Sequence, residues 1–562
     1  MPTNRPNDKK QRRILSKSDR DIRKLAKRVD DGIALFDPTW LLTQLNFIEV
    51  STTFTEDAHR RAPDGFVKKF EHIRKIVAKR LLHQSSKGAS LDRLFELVDR
   101  LYAEMSQNLM IRALVRAEKY PEQEKSIEAW FFTKTRNIFE PPMGSGLQFR
   151  QMFLDRFQSV DKSLIKERLS LSCTESIALC DCIRTVFEER ITEFAKATLS
   201  ESQANVVMWE VFLFAGGDLA ERSGLPAASV YRFLKGLSYR PGDVHENYRF
   251  PIDSSQGALF LETESGRFYL QSAVGLYRDF YHFAWRMVDN AEKSIRDHYH
   301  AWRGAVVERN VAHQLSRLFG EEDVFTNLFY PVPDRPSDWA EADILVRAGD
   351  ALILCEVKGS EHERAADARV GPERLMQRDF ETIKKGYAQC ARTRLYVHSN
   401  APATFYDKGN GAEVLTVDQA VTRYYYLVVT ANSYGCLAGN CGDLLSHKDG
   451  PLPVVMSEFE LSTFLEKLHS SEDFVRYLGQ REELHGFLKT SDELEVAAVF
   501  LTQGNLDDLL ESKTEADMLI LDPAVSFLFN GSAWKRTKDS QAAIESRSLS
   551  RVVLSSREAA PS

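Results

Sequence analysis

Residues 340–360, AEADILVRAGDALILCEVKGS, restrict what this chain can fold into more than any other stretch. Two apolar runs, ILV and ALILCEV, flank an Ala-Gly-Asp turn, and a two-residue loop at Gly349-Asp350 makes them an antiparallel hairpin. Pairing Ala348 with Ala351 sets Asp343 opposite Glu356 and Glu341 opposite Lys358. Side chains two apart in a strand share a face, so all four are expected on one side of the sheet. Opposed positions have Cβ atoms about 5 Å apart, where like charges repel, so Asp343 and Glu356 call for a cation. Two hard carboxylates suit Mg²⁺, which keeps waters and takes ligands from phosphate. Lys358, one step along, can supply positive charge to an attacking water or to the developing charge on phosphorus. The competing reading is an exposed hairpin decorated with ion pairs, and a three-residue turn would shift the register by one. Against it, the apolar LILC before Glu356 is what a central strand covered on both faces requires.

Two flanking helices complete the pattern. Upstream, AWRGAVVERNVAHQLSRLFG carries Val307, Val311, Leu315 and Leu318 as an apolar stripe, and Glu308 can project toward the hairpin. Downstream, RDFETIKKGYAQCARTRLYV reads as a helix running into a strand, with Lys385 and Gln389 four apart on one face.

The ordered set of helix-Glu, strand-Asp, strand-Glu-x-Lys and helix-Gln resembles the PD-(D/E)XK, or restriction-endonuclease-like, nuclease superfamily. The likeness spans about residues 300 to 400, under a fifth of the chain. It implies a mixed sheet flanked by helices, Mg²⁺ or Mn²⁺ at Asp343 and Glu356, and hydrolysis of a phosphodiester. By resemblance, the catalytic set is Glu308, Asp343, Glu356, Lys358 and Gln389. Asp343 is preceded by Ala342 where the motif's name has Pro, and a charged insertion, SEHERAADARVGPERLMQRDF, follows the core strand. The flanks, from FPIDSS through LPVVMSEFELSTFLEKL, look like those of large bacterial proteins that carry such a domain.

At roughly 150 residues per domain, 562 residues make three or four packed units. The expected organisation is multidomain α plus α/β: a helical N-terminal region, a restriction-endonuclease-like mixed sheet, and a β and helical C-terminal extension. Residues 1–30 read as a basic tail leading into a helix, with eleven Lys/Arg against three Asp in the first 28 and almost no apolar residues until Ile22 and Leu25. Residues 31–240 read as a helical domain. Within it Phe66, Phe70, Ile73, Val77 and Leu81 form a stripe, and Lys68, Lys69, Lys75 and Lys79 offer either a solvated or a phosphate-touching face. The segment 216–237, GGDLAERSGLPAASVYRFLKGL, has the small, turning and apolar positions of a helix-turn-helix. Arg232 and Lys235 would then be DNA contacts, as would Lys385 elsewhere, while a packing hairpin explains the same pattern. Residues 241–300 read as a connector whose aromatics Tyr277, Phe280, Tyr281, Phe283 and Trp285 are packing residues. The nuclease domain is expected over 301–400, an extension over 401–534, and a disordered tail over 535–562.

With 74 basic and 81 acidic side chains the net charge is −7, which excludes a bulk polycation but not local basic patches. Seven scattered cysteines imply reduced thiols, and Cys173, Cys180 and Cys182 lack the second ligand pair of a zinc site. No apolar run reaches membrane-spanning length, and charges stand where a signal peptide needs an apolar stretch, so a cytoplasmic location is expected. The leading function is a Mg²⁺-dependent endonuclease acting on DNA, in host defence or repair. The alternatives are an inactive nuclease fold kept for DNA binding or regulation, a helix-turn-helix regulator, and a protein-interaction scaffold.

Overall fold

The computed structural model describes residues 6–54, 69–77, 90–119, 146–197, 201–239, 258–332, 335–359, 372–443, 450–490, 493–513, 518–521 and 552–554, apart from a few positions inside these ranges. The chain divides into two compact units. Among the described residues, the first draws on 6–119 and 146–302 and the second on 303–359 and 372–554.

In the first unit the basic N-terminal segment is a helix, Pro6–Ile33. Leu25, Ala26, Val29 and Ile33 recur at helical spacing and are buried, packing along the helix Leu91–Lys119 through Leu94, Val98 and Leu101. The expected helix therefore begins at Pro6, and the expectation of a tail reaching residue 30 is corrected. The charges face outward and the apolar stripe supplies the burial that a solvated arm lacks. Lys69 is buried against Asp99 at 2.6 Å and is no phosphate contact, while Lys68, Lys75 and Lys79 lie outside the described residues. Cys173 and Cys180 are core thiols on a helix started by a Ser172–Glu175 capping box, and burial pushes both thiols up.

The stretch expected as a connector is integral to this unit. Phe260–Glu262 and Phe268–Leu270 form a hairpin in a four-stranded sheet with Leu213–Phe214 and Ser238–Tyr239. The helix Leu276–Asp289 buries Tyr277, Phe280 and Tyr281 in the same core, with Phe283 and Trp285 half-buried against it. The aromatics are packing residues, as their spacing requires.

The second unit is built on a seven-stranded mixed sheet. Its strands are β1 (Val324–Val332), β2 (Arg335–Ala348), β3 (Ala351–Lys358), β4 (Ala403–Tyr406), β5 (Glu413–Val417), β6 (Arg423–Thr430) and β7 (Val454–Ser457), in the order β7-β6-β3-β2-β1-β4-β5. β3 is central: β2 pairs with it antiparallel, β6 parallel. Four of the seven strands lie beyond residue 400, so the domain does not end there. A strand parallel to β3 needs a long crossover, and α2 (Pro372–Ser399) lies in that connection. This helix includes RLYV, which the sequence pattern places in a strand.

Alternate residues of β3 face opposite layers. Ile353 and Cys355 join a core with Val307, Val311 and Leu315 of α1 (Lys293–Phe319), whereas Leu352 and Leu354 join Tyr387 and Cys390 of α2. A further helix, α3 (Glu458–Leu465), is tied to α1 by Asn310, whose Nδ2 donates to Glu458 Oε1 at 2.8 Å. The expected 535–562 tail lies outside the described residues except Val552–Leu554, which pairs with Met518–Ile520. Among the described residues no helix is long and apolar enough to cross a membrane.

Candidate active site

The Gly349 turn, at φ 64°, fixes the hairpin register that the sequence predicts, from Ala348↔Ala351 to Ile344↔Cys355. Beyond that pair the ladder opens. β3 continues beside β6 as far as Lys358, while β2 continues beside β1 to Trp339 and, past a register shift, to Arg335. Asp343 sits at the fork and its Oδ2 accepts the Val357 N–H at 2.7 Å, so a side chain replaces the ladder's backbone acceptor.

The fork coincides with a break in alternation. Ala342 packs in the same layer as Leu345, although a regular strand would put them on opposite faces. The facing strand carries Asn327 at φ 52° between the pairs Thr326↔Ile344 and Leu328↔Ala342. The left-handed residue, which Asn tolerates better than most, turns both strands at that level. The simple expectation of four polar side chains on one regular face is thereby corrected, although three of them still converge.

Lys358 is where they meet. Its Nζ donates to Glu356 Oε2 at 2.8 Å, to Asp343 Oδ2 at 3.3 Å and to the Val357 carbonyl at 3.3 Å. Glu356 is only 2% exposed. Burial drives its carboxyl up and Lys358 draws it down; with Asp343 nearby, the balance lies at about 8. Burial would lower the Lys358 ammonium, but Glu356 and Asp343 more than offset that and hold it up.

Glu308, on α1, is half-buried and lifted to about 7, by burial first and then by Asp343 and Glu341. Glu341 is raised by burial and by Asp343; no hydrogen bond joins it to Lys358 among the described residues, so the expected facing pair interacts only through space. Four acids thus surround one lysine.

Glycines account for the closeness, and they are absent from the sequence-based site. Arg303 Nε donates to the Gly359 carbonyl at 2.6 Å, and a Cβ on Gly359 would stand 2.6 Å from the Gly304 Cα. The glycine at 359 lets α1 approach the end of β3 so nearly, whereas a Cβ on Gly304 would meet nothing within 4 Å. On α2, a Cβ at Gly386 would lie 2.9 Å from Val428 and 3.4 Å from Lys358 Cε, so this glycine clears the lysine's path. The local signals are EVKGS and KKGY, each a glycine beside a candidate site residue.

Gln389 lies one turn past Gly386, and its Oε1 is buried without a hydrogen-bond partner among the described residues. It makes no hydrogen bond to the cluster. Lys385 is exposed on the same helix and is likewise unconnected to it. Arg232 and Lys235 belong to the other unit. Among the described residues, no three His, Cys, Asp or Glu side chains form a ready metal cage. No family model matches the chain, and neither does any curated protein or solved structure compared with it.

The raised Glu308 carboxyl has a consequence for stability. Between the ordinary glutamate value and about 7 the folded chain keeps a proton that the unfolded chain has released, so raising the pH through this window favours unfolding. Glu308→Gln cannot ionise. In EDTA its melting temperature is expected to fall less than wild type's as pH rises to about 7; parallel melting curves would refute the assigned environment.

Proposed function

We propose that this chain is a Mg²⁺- or Mn²⁺-dependent nuclease that hydrolyses phosphodiester bonds of DNA, with its centre at Asp343, Glu356 and Lys358. The supporting observation is the convergence of Asp343 and Glu356 on one point, reached by Lys358 Nζ, with Glu308 and Glu341 adding negative charge. The resemblance to PD-(D/E)XK nucleases assigns the same three residues.

The donor set fits a hard divalent cation: two carboxylates share one ammonium, and two further acids nearby are offset by that same lysine only in part. Asp343 and Glu356 would hold the ion. When bound it would supply Lewis acidity and lower the pKa of a coordinated water. Asp343 is oriented by the Val357 amide, and Glu356 by its burial in the β3 layer. The Lys358 ammonium, released from the carboxylates, can turn to the negative charge developing on phosphate oxygens. Glu308, titrating near neutrality, can accept a proton from water at its carboxylate. Gln389 would position water by accepting at its unpartnered Oε1, or contact a substrate phosphate by donating from Nε2.

A second reading has one observation in its favour. Lys358 already bridges both carboxylates, as it would in an inactive nuclease fold retained for DNA binding. Incubating the purified chain with plasmid, linear duplex, single-stranded DNA and RNA, in Mg²⁺, Mn²⁺ or EDTA, separates the two. Metal-dependent cleavage of DNA is the expected result. No cleavage, combined with a melting temperature unmoved by Mn²⁺, would exclude the nuclease.

The outlying residues should contribute less than the centre. Loss of partners that orient a metal's ligands typically costs 10–100-fold, so Glu308→Ala and Gln389→Ala are each expected to slow cleavage by about that factor. Undiminished rates for both would place the two helices outside the mechanism.

A further inference from the structure

In the first unit, Glu201–Val211, Leu213–Phe214, Gly216–Ser223 and Ala227–Gly236 follow one another as helix, strand, helix, helix. The last two helices turn at Gly224, whose φ of 68° is a left-handed position suited to glycine. Leu219, Val230, Phe233 and Leu234 bury the inner side. Leu213–Phe214 pairs antiparallel with Phe268–Leu270, which returns as a hairpin from Phe260–Glu262. This is a helix-turn-helix buttressed by a β-hairpin. The hairpin tip lies beside the second helix: the Tyr231 ring meets Phe268 edge-on at 5.5 Å, and a Cβ on Gly266 would lie 4.0 Å from the Tyr231 hydroxyl.

The outward side of the second helix presents Ala227, Ala228, Tyr231, Arg232 and Lys235, all exposed. Arg232 Nη1 donates to Ser170 Oγ at 2.7 Å, joining this helix to the segment Asp161–Leu169, where Lys162, Lys166 and Arg168 are exposed too. Elsewhere on the unit four exposed or half-buried arginines are held by acids: Arg150 by Asp181, Arg184 by Glu188, Arg222 by Glu189 and Arg267 by Glu210. None of Lys162, Lys166, Arg168, Arg232 and Lys235 makes a direct ion pair among the described residues, although Lys166 is near enough to Glu175 to lower that carboxyl. In a chain of net charge −7 these cations, linked through Arg232 and Ser170, form a local basic patch, and the helix Pro6–Ile33 carries a second set of exposed Lys and Arg.

The geometry points to this surface as a docking site for double-helical DNA, with Ala227–Gly236 in the major groove and Lys162, Lys166 and Arg168 on the adjoining phosphates. A ten-residue helix is about 15 Å long and enters a major groove roughly 12 Å wide. Alanines at its leading end let the backbone approach base edges, and Arg232 and Lys235 flank them. The deep, narrow major groove of an RNA duplex admits no such helix, which decides for DNA. The inference is independent of the nuclease reading, because the two sites belong to different units.

The test is binding of the full chain to a short mixed-sequence DNA duplex in EDTA, between about 50 and 200 mM salt. Arg232→Ala with Lys235→Ala, and separately Lys162→Ala, Lys166→Ala and Arg168→Ala together, are expected to weaken binding by roughly 10-fold or more. Each set should flatten the log–log salt slope by about 0.9 for every phosphate it no longer neutralises. Arg232→Lys should keep the slope, and unchanged melting temperatures show that these exposed replacements leave the fold intact. Unaltered affinity and slope in both multiple variants would overturn the proposal, as would equal binding of an RNA duplex or of single strands. Because EDTA suppresses cleavage, DNA binding can succeed where the nuclease reading fails, and the reverse.

Discussion

Asp343→Asn is expected to reduce Mg²⁺-supported DNA cleavage by at least about 100-fold, the upper end of what losing an orienting partner costs a metal site. The substitution removes a charge and little else. An asparagine Oδ1 can still accept the Val357 N–H that Asp343 accepts at 2.7 Å, so the fork between β2 and β3 keeps its bond. The change falls on the electrostatics of the point shared with Glu356 and Lys358. Lys358 would then answer Glu356 alone, and an arriving divalent ion would meet one carboxylate instead of two. Glu356→Ala and Lys358→Ala are expected to abolish cleavage as well. Lys358→Ala should also lower the melting temperature in EDTA, because it strips the counter-charge from a carboxylate that is 2% exposed. Mn²⁺ should raise the melting temperature of wild type and leave Asp343→Asn unmoved. Full cleavage by Asp343→Asn would remove the centre from this position, whatever the activity of the chain.

Much of this centre is legible in the sequence because a hairpin is a local object. A two-residue turn and period-two alternation set the register from Ala348↔Ala351 to Ile344↔Cys355 without knowledge of the rest of the chain. The apolar LILC signals a strand covered on both faces, and β3 lies between β2 and β6 with a helix layer on either side. What local pattern cannot supply is the partner across a long connection. β6 pairs in parallel with β3, 72 positions separating Arg423 from Ala351, and no periodicity announces it; a domain boundary at 400 therefore falls too early. Asn327 escapes for a similar reason, since a left-handed residue inside a strand has no compositional mark yet resets which side Ala342 faces. The basic N-terminal segment misleads in the opposite way. Its charge run is conspicuous, whereas the sparse stripe Leu25, Ala26, Val29 and Ile33 decides its state only once Leu91–Lys119 is there to receive it.

The largest effect on stability is expected away from the centre, at Glu493. Arg481 is fully buried and its Nε and Nη2 donate to the Glu493 carboxylate at 2.8 and 3.2 Å, with a further Nη2 bond to the Gly439 carbonyl. The Tyr477 hydroxyl donates to Glu493 Oε1 at 2.5 Å. Burial pushes Glu493 up, and Arg481 and Tyr477 work against that shift. Removing one member of a buried pair strands the other, so Glu493→Ala is expected to cost about 3–5 kcal/mol. Replacing both, with Arg481→Leu and Glu493→Leu, should cost less, since no charge is left without a partner. Hydrogen exchange of the amides in Ser471–Glu483 and Glu493–Gln503 reports this locally, rising most in the single variant. The same core holds Phe474, Tyr477 and Leu478 against Val307, Val311 and Leu315 of α1, the helix that carries Glu308. Glu493→Ala should accordingly leave cleavage near wild type at low temperature and lose it on warming, in step with the exchange. Asp343→Asn should be inactive at every temperature. A Glu493→Ala protein as protected as wild type would show that the buried pair contributes little to this core.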